Sequence, residues 1–259
     1  MRDTELFGGE RLDQIGFGGL KLIQKPEEFC YGVDAVILAD FAAKHCKGEP
    51  QSVVDLGTGT GVIPLILSHK TKAKNIVGVE VQKPSFERAK RNIKLNSLEE
   101  RLSIINVDVK DIGEIWGRDL KGTVDVVVAN PPYFKSGSSI TNGHDAKAMA
   151  RHETTAGLEE FLSCAAYLLK LKGDFFMVHR PSRLADICYF GRTAGLEPKE
   201  MIFVSPTEDE TPNILLIHMV KGAGSELKIL PHLYVYDKHG EYTEDLLEAY
   251  ESTTKNMLK

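Results

Sequence analysis

The chain is 259 residues long, 42% hydrophobic and 27% charged, with a net charge of −5. Those proportions exclude a disordered or fibrous chain and fit one large domain or two small ones. No apolar run reaches the ~18 residues of a membrane span, the charged start Met1-Arg2-Asp3-Thr4-Glu5-Leu6 lacks a secretion core, and four scattered cysteines without a CxxC argue against a disulfide scaffold or zinc site. The acidic excess lies in the tail, where residues 207–259 carry ten acids against five Lys or Arg. A nucleic-acid footprint over the whole chain is therefore absent, and any phosphate contact needs a local patch. The expected location is the cytoplasm, with no membrane contact. The eight histidines show no metal spacing, so no metal is expected.

In chain order, Phe7-Gly8-Gly9 and Phe17-Gly18-Gly19 punctuate short segments that read as a small β cap, followed by a helix over Asp34–Cys46. Ser52–Leu56 reads as a buried strand, and a Gly-rich turn leads to a helix over Thr60–His69. Ile76–Glu80 is the next strand. Pro84 opens a helix whose Phe86, Ala89 and Ile93 share one face. Strands follow over Leu102–Val107 and Val124–Ala129, then a helix over Leu158–Leu171, the strand Asp174–Val178 and a helix over Ser182–Ala194 that stops at Gly195. Met201–Val204 and Ile214–Met219 have no helix between them and are expected to pair antiparallel. The tail holds a strand-like Leu233–Tyr236 and a short acidic helix opened by Thr243, with packing or solubility as its expected role.

Alternating β and α segments with apolar strands imply an α/β fold: a mostly parallel sheet, covered by helices on both faces, with an antiparallel edge. The expected organisation is a β cap and helix over 1–48, a core over 49–222 and an extension over 223–259.

Asp55-Leu56-Gly57-Thr58-Gly59-Thr60-Gly61 ends a strand and opens a helix. Its glycines allow positive φ and let a ligand lie on bare backbone, while the helix start favours an anion. The spacing is G-x-G-x-G. The third glycine of the dinucleotide pattern G-x-G-x-x-G would fall on Val62. An aspartate before the loop repels a pyrophosphate but attracts an ammonium. The motif therefore suits a ligand with both a carboxylate and an amine, such as the methionine end of S-adenosylmethionine. Glu80, ending the next strand, can accept from both hydroxyls of a ribose. Asp108, ending the third, can meet an adenine amino group.

The fourth strand ends in Asn130-Pro131-Pro132-Tyr133-Phe134. In an open α/β sheet this turn and the glycine loop share one rim. Two prolines stiffen the turn and hold Asn130 extended. The Asn130 side-chain oxygen and the Pro131 carbonyl can then accept both hydrogens of an –NH₂ group, with Tyr133 flat on the ring that carries it. Such a clamp favours a pyramidal nitrogen whose lone pair points at a methyl donor, so alignment and electrostatic support suffice.

With both motifs in view, the chain resembles the class I, Rossmann-like S-adenosylmethionine-dependent methyltransferases, and within them the amino-methylating branch marked by Asn-Pro-Pro-Tyr. The resemblance covers about residues 25–220 and implies a seven-stranded sheet. Phe29-Cys30-Tyr31-Gly32-Val33-Asp34-Ala35-Val36-Ile37-Leu38-Ala39, Arg151-His152-Glu153 and Tyr234-Val235-Tyr236-Asp237 are similar to segments of the bacterial valine-tRNA adenine-37 N6-methyltransferase family. That resemblance implies methylation of an adenine N6 in tRNA. It gives cofactor roles to Tyr31, Asp34, Asp55, Gly57, Thr58, Gly59, Gly61, Glu80, Asp108, Val109 and Asn130, and the amine-binding role to Asn130, Pro131, Pro132 and Tyr133. Phe134, Arg151 and His152 become substrate candidates. The same turn also serves enzymes that methylate guanine N2 in ribosomal RNA, adenine in DNA and a glutamine of release factors. The glutamine and DNA enzymes carry additional domains for which this chain shows no room; the guanine enzymes remain competitors.

Two further features are left open by the sequence. The polar loop Lys135–Lys147 reads equally as a lid or a surface loop. Arg180 and Arg183 read equally as part of a phosphate-binding rim or as a solvated face. Arg88, Lys90, Arg91 and Lys94 read as a solvated helix face.

Overall fold

A computed structural model describes residues 6–27, 30–133 and 156–251. Phe17-Gly18-Gly19 closes a hairpin of β1 (Arg11–Gly16) and β2 (Leu20–Gln24), as the glycine punctuation implies. Helix α1 (Val33–His45) buries every residue from Ala35 to Ala42. Then come β3 (Ser52–Leu56), α2 (Val62–Lys70), β4 (Asn75–Val79), α3 (Lys83–Leu95), β5 (Leu102–Ile105), the short α4 (Ile112–Ile115) and β6 (Val124–Ala129). Beyond the undescribed stretch lie α5 (Leu158–Leu168), β7 (Leu169–His179), α6 (Leu184–Thr193), β8 (Leu196–Ser205), β9 (Ile214–Lys221), β10 (Lys228–Ile229), β11 (Leu233–Tyr234) and α7 (Glu244–Ala249). No helix among the described residues is long and apolar enough to cross a membrane.

Strands β5-β4-β3-β6-β7 run parallel in that spatial order. β9 lies antiparallel between β7 and β8, so the reversed strand stands one place in from the edge of the seven-stranded core. The sheet is wider than the expected seven: β10 and β11 both add, parallel, along the outer side of β8, giving nine strands among the described residues.

Side chains alternate between faces along each strand, and the core divides accordingly. Val126, Val128 and Phe176 join α1, α2 and the hairpin on one face; Val127, Ala129 and Phe175 join α4 and α5 on the other. The first cluster also takes Ile15 and Phe17 from the hairpin and Leu246, Ala249 and Tyr250 from the tail, so the tail serves packing. Thr243 opens α7 as the sequence implies, its hydroxyl accepting from Leu246 N at 3.4 Å.

The charged face expected on α3 is not fully solvated. Arg88 is buried and donates to Glu10 Oε1 at 3.1 Å, and Arg91 grips both oxygens of Glu10 at 2.9 and 2.8 Å. Burial of Glu10 opposes its ionisation, but hydrogen bonds from Arg91, the Phe7 amide and Arg88 outweigh it and hold its carboxyl down at about 2. Asn92 of α3 ties down the hairpin from the same side, accepting from Ile23 N at 2.7 Å.

Candidate active site

The chain leaves β3 for β4 and β5 on one side, then returns to lay β6 on the other side of β3. Such a reversal opens a crevice outside the carboxyl ends of the two strands. Leu56 pairs with Ala129 across them and with Val79 of β4. The glycine turn, Glu80 and Asn130 therefore leave the sheet level with one another on adjacent strands.

Gly57, Gly59 and Gly61 all adopt positive φ (74°, 58° and 83°), and Gly61 caps α2 in the left-handed conformation. A β-carbon on Gly57 would stand 3.3 Å from the Phe161 ring, and one on Gly59 would meet nothing within 4 Å, so the turn is open above Gly59. The amides of Gly57 and Thr58 both donate to Val79 O at 2.9 Å. Gly59 N donates to Glu80 Oε2 at 2.8 Å and Gln82 N to Glu80 Oε1 at 2.6 Å. Each Glu80 oxygen keeps a second lone pair. Burial raises the Glu80 carboxyl, against those backbone donors.

Asp55 is 0% exposed, and neither its carboxylate oxygens nor Thr58 Oγ1 has a hydrogen-bond partner among the described residues. Burial pushes its carboxyl up to about 7; the Thr58 hydroxyl, close by but outside hydrogen-bonding geometry, offsets part of this and Glu80 adds to it. A buried, unpartnered carboxylate beside a glycine turn wants a cation, and no side chain among the described residues supplies one.

Strand β5 stops at Ile105, so Asp108 lies beyond the strand end expected for it. It caps a helical turn that starts at the buried Val109, accepting from Lys110 N at 3.0 Å. Asn106, which the sequence reading passed over, donates to the backbone oxygens of Glu80 at 2.6 Å and Val81 at 3.0 Å. An asparagine near the carboxyl end of an otherwise apolar strand was the available signal.

Pro131 is buried and Pro132 exposed. The Tyr133 hydroxyl lies 3.0 Å from both Asn130 Oδ1 and Asp34 Oδ2, and Asn130 Nδ2 reaches Asp34 Oδ2 at 3.4 Å. Burial, with Asp34 second, raises the Tyr133 phenol, which therefore stays protonated. The structure thus brings Asp34 to the Asn130 turn. Tyr31 is placed instead by the hairpin: its amide donates to Gln24 Oε1 at 3.0 Å, and its charged neighbours are Asp13 and Arg11.

The end of β7 completes the rim. The Arg180 guanidinium covers the Tyr133 ring 4.9 Å from its centroid, and His179 meets the same ring edge-on at 5.2 Å. Burial, then the charge of Arg183, pushes His179 down to about 4, so it is neutral near pH 7. A cleft of about 340 Å³ lies between Tyr133, His179, Arg180, Arg183 and Asn213. A larger hollow of about 450 Å³ lies around Gly195 and Gly222, near the start of β8 and the end of β9, away from this rim. Phe134, Arg151, His152 and the loop Lys135–Lys147 lie outside the described residues.

Residues 29–185, which hold both turns, match the family model of the methyltransferase small domain. The chain belongs to the methyltransferase small-domain family. A tRNA1(Val) (adenine(37)-N6)-methyltransferase of Porphyromonas gingivalis is 30% identical over 188 residues, 71% of this chain and 72% of the relative. One of the same description from Haemophilus influenzae is 27% identical over 84% of this chain and 88% of its own length. Among solved structures, a predicted O-methyltransferase of Agrobacterium tumefaciens superposes with a TM-score of 0.66 at 19% identity, covering 86% of this chain and 99% of that one. A putative RNA methyltransferase of Pyrococcus horikoshii gives 0.53 at 19% identity, over 73% and 83%. These likenesses place this methyltransferase on the Rossmann-like fold.

Proposed function

We propose that the chain transfers a methyl group from S-adenosylmethionine to N6 of an adenine in tRNA. One observation carries the reading: the glycine turn and the Asn130 turn leave adjacent, in-register strands at the reversal of the sheet, so a donor on one faces an amine on the other. The relatives' described activity fits that arrangement. The glycine turn, Glu80 and the Asn130 turn are assigned to a core over residues 49–222, with 1–48, which brings Asp34 to that turn, and 223–259 packed against it.

The residues present fit the cofactor. The orphaned Asp55 carboxylate supplies the anion an amino group needs. The amides of Gly57, Thr58, Gly59 and Gly61 bond within the protein, and the amides at the start of α2 suit a carboxylate. The spare lone pairs of Glu80 suit ribose hydroxyls, with Asp108 and Val109 beside the base. Bound there, S-adenosylmethionine supplies an electrophilic methyl group on a sulfonium.

The remaining work is positional. Asn130 Oδ1 and the Pro131 carbonyl accept from the amine and turn its lone pair outward. No side-chain base is needed before attack, since an aryl amine becomes acidic only after methylation. An adenine in folded RNA has to leave its stack, at a cost of a few kcal/mol, and stacking on Tyr133 or on the Arg180 guanidinium returns part of it. Arg180 and Arg183 border the cleft where the flanking phosphates would pass.

The test is incubation of the protein with labelled S-adenosylmethionine and unmodified tRNA, followed by mass spectrometry of the nucleosides. N6-methyladenosine is the expected product. Label in N2-methylguanosine, in protein or in DNA alone would refute the assignment.

A further inference from the structure

Asp34 is the second residue of α1, and one of its carboxylate oxygens, Oδ1, accepts from the Ala35 amide at 2.9 Å. The other, Oδ2, faces the catalytic turn, 3.0 Å from the Tyr133 hydroxyl and 3.4 Å from Asn130 Nδ2. A carboxylate has no proton to donate. The amide atom turned toward it must therefore be the nitrogen, and Oδ1 must point the other way. The Tyr133 hydroxyl holds a single proton and lies equally near Asp34 and Asn130 Oδ1. Given to Asp34, that proton leaves Asn130 Oδ1 free to accept from a substrate.

We propose that Asp34 is a positioning residue that locks the Asn130 amide with its oxygen outward, making the clamp selective for an amine over a carbonyl oxygen. An unconstrained asparagine can rotate its side-chain amide and serve a donor or an acceptor equally. Facing Asp34, it cannot rotate without setting Oδ1 against a negative charge. An –NH₂ at the purine 6-position is then accepted, and a carbonyl there meets a second acceptor. This inference rests on the reading above for the group that enters the clamp. It separates Asp34 from the cofactor contacts given to it by family resemblance.

The test compares wild type with the isosteric variant Asp34→Asn, using unmodified tRNA and the same tRNA with inosine at the modified position. Active sites are counted by S-adenosylhomocysteine binding, so a loss of folded protein does not imitate a loss of turnover. In the variant, turnover should fall about tenfold or more, because the amine is no longer aligned. S-adenosylhomocysteine affinity should stay within about twofold, and the preference in binding affinity for adenosine- over inosine-containing tRNA, which lacks the amine and serves only as a binding probe, should shrink by about tenfold, since the freed amide can turn its nitrogen to a carbonyl. Turnover close to wild type, cofactor affinity falling in step with turnover, or an unchanged preference would each overturn the proposal. A wild-type enzyme that leaves tRNA adenine unmethylated would instead strike at the functional reading, before the variant is considered.

Discussion

The Gly59 amide donates to Glu80 Oε2 at 2.8 Å, which makes the glycine turn and the end of β4 a single piece. Glu80 also receives Gln82 N on its other oxygen, so each oxygen accepts from one backbone donor and keeps one lone pair for a ligand. In Glu80→Gln an –NH₂ group replaces one acceptor and confronts an N–H. A donor left unsatisfied costs about 1–3 kcal/mol. S-adenosylhomocysteine affinity should fall by about tenfold or more, measured by titration calorimetry.

Asp55 ties cofactor affinity to pH. Burial raises its carboxyl to about 7 from an ordinary 3.8, so the folded chain holds the proton more tightly than the unfolded one. The stability this gives is complete below pH 3.8 and is lost as the pH rises through about 7. A bound ammonium needs the ionised form. Affinity should therefore rise about tenfold per pH unit below 7 and level off above it, until the ligand's own amine loses its proton near ~8. In Asp55→Asn the slope should vanish; a slope that persists would move the titrating group elsewhere.

Asn130→Ala removes the side-chain acceptor of the clamp and leaves the glycine turn untouched. Turnover should drop by about 100-fold or more while S-adenosylhomocysteine still binds within about twofold of wild type. Single-turnover rates at saturating cofactor make this comparison.

Glu10→Gln tests the N-terminal anchor. The buried Arg88 and Arg91 both bond to the Glu10 carboxylate, and neutralising it weakens these charge-assisted hydrogen bonds, each of a kind that contributes about 1.5–3 kcal/mol. The urea midpoint should fall accordingly. The Glu10 carboxyl, lowered to about 2 from 4.5, contributes stability that is present above pH 4.5 and lost as the pH falls toward 2. The variant should therefore lose less stability than wild type across that acid range.

Local pattern made the site readable and long-range contact made the rest opaque. The apolar run Val124–Ala129 is β6 residue for residue, and both turns stand where adjacent buried strands put them. The Leu169–Leu171 stretch read as the end of a helix because leucine and lysine favour one, yet Leu169 pairs with Val124 and starts β7. Arg88 read as solvated because Glu10 lies 78 residues away. The bond from Tyr133 to Asp34 spans 99 residues, so an aspartate that looks like a cofactor residue reaches the catalytic turn by tertiary folding alone. Within the sheet, His218 bonds to Asp174 at 2.9 Å across 44 residues, a pairing that no window on the sequence contains.

The packing of Tyr250 against Phe17, 6.4 Å between ring centroids, has a temporal meaning. The hairpin must wait for its lid: a nascent chain can assemble the parallel strands early, but the seam over α1 cannot be sealed until residue 250 has left the ribosome. Chaperone dependence and proteolytic nicking during synthesis should thus concentrate on that late-closing face rather than on the catalytic rim.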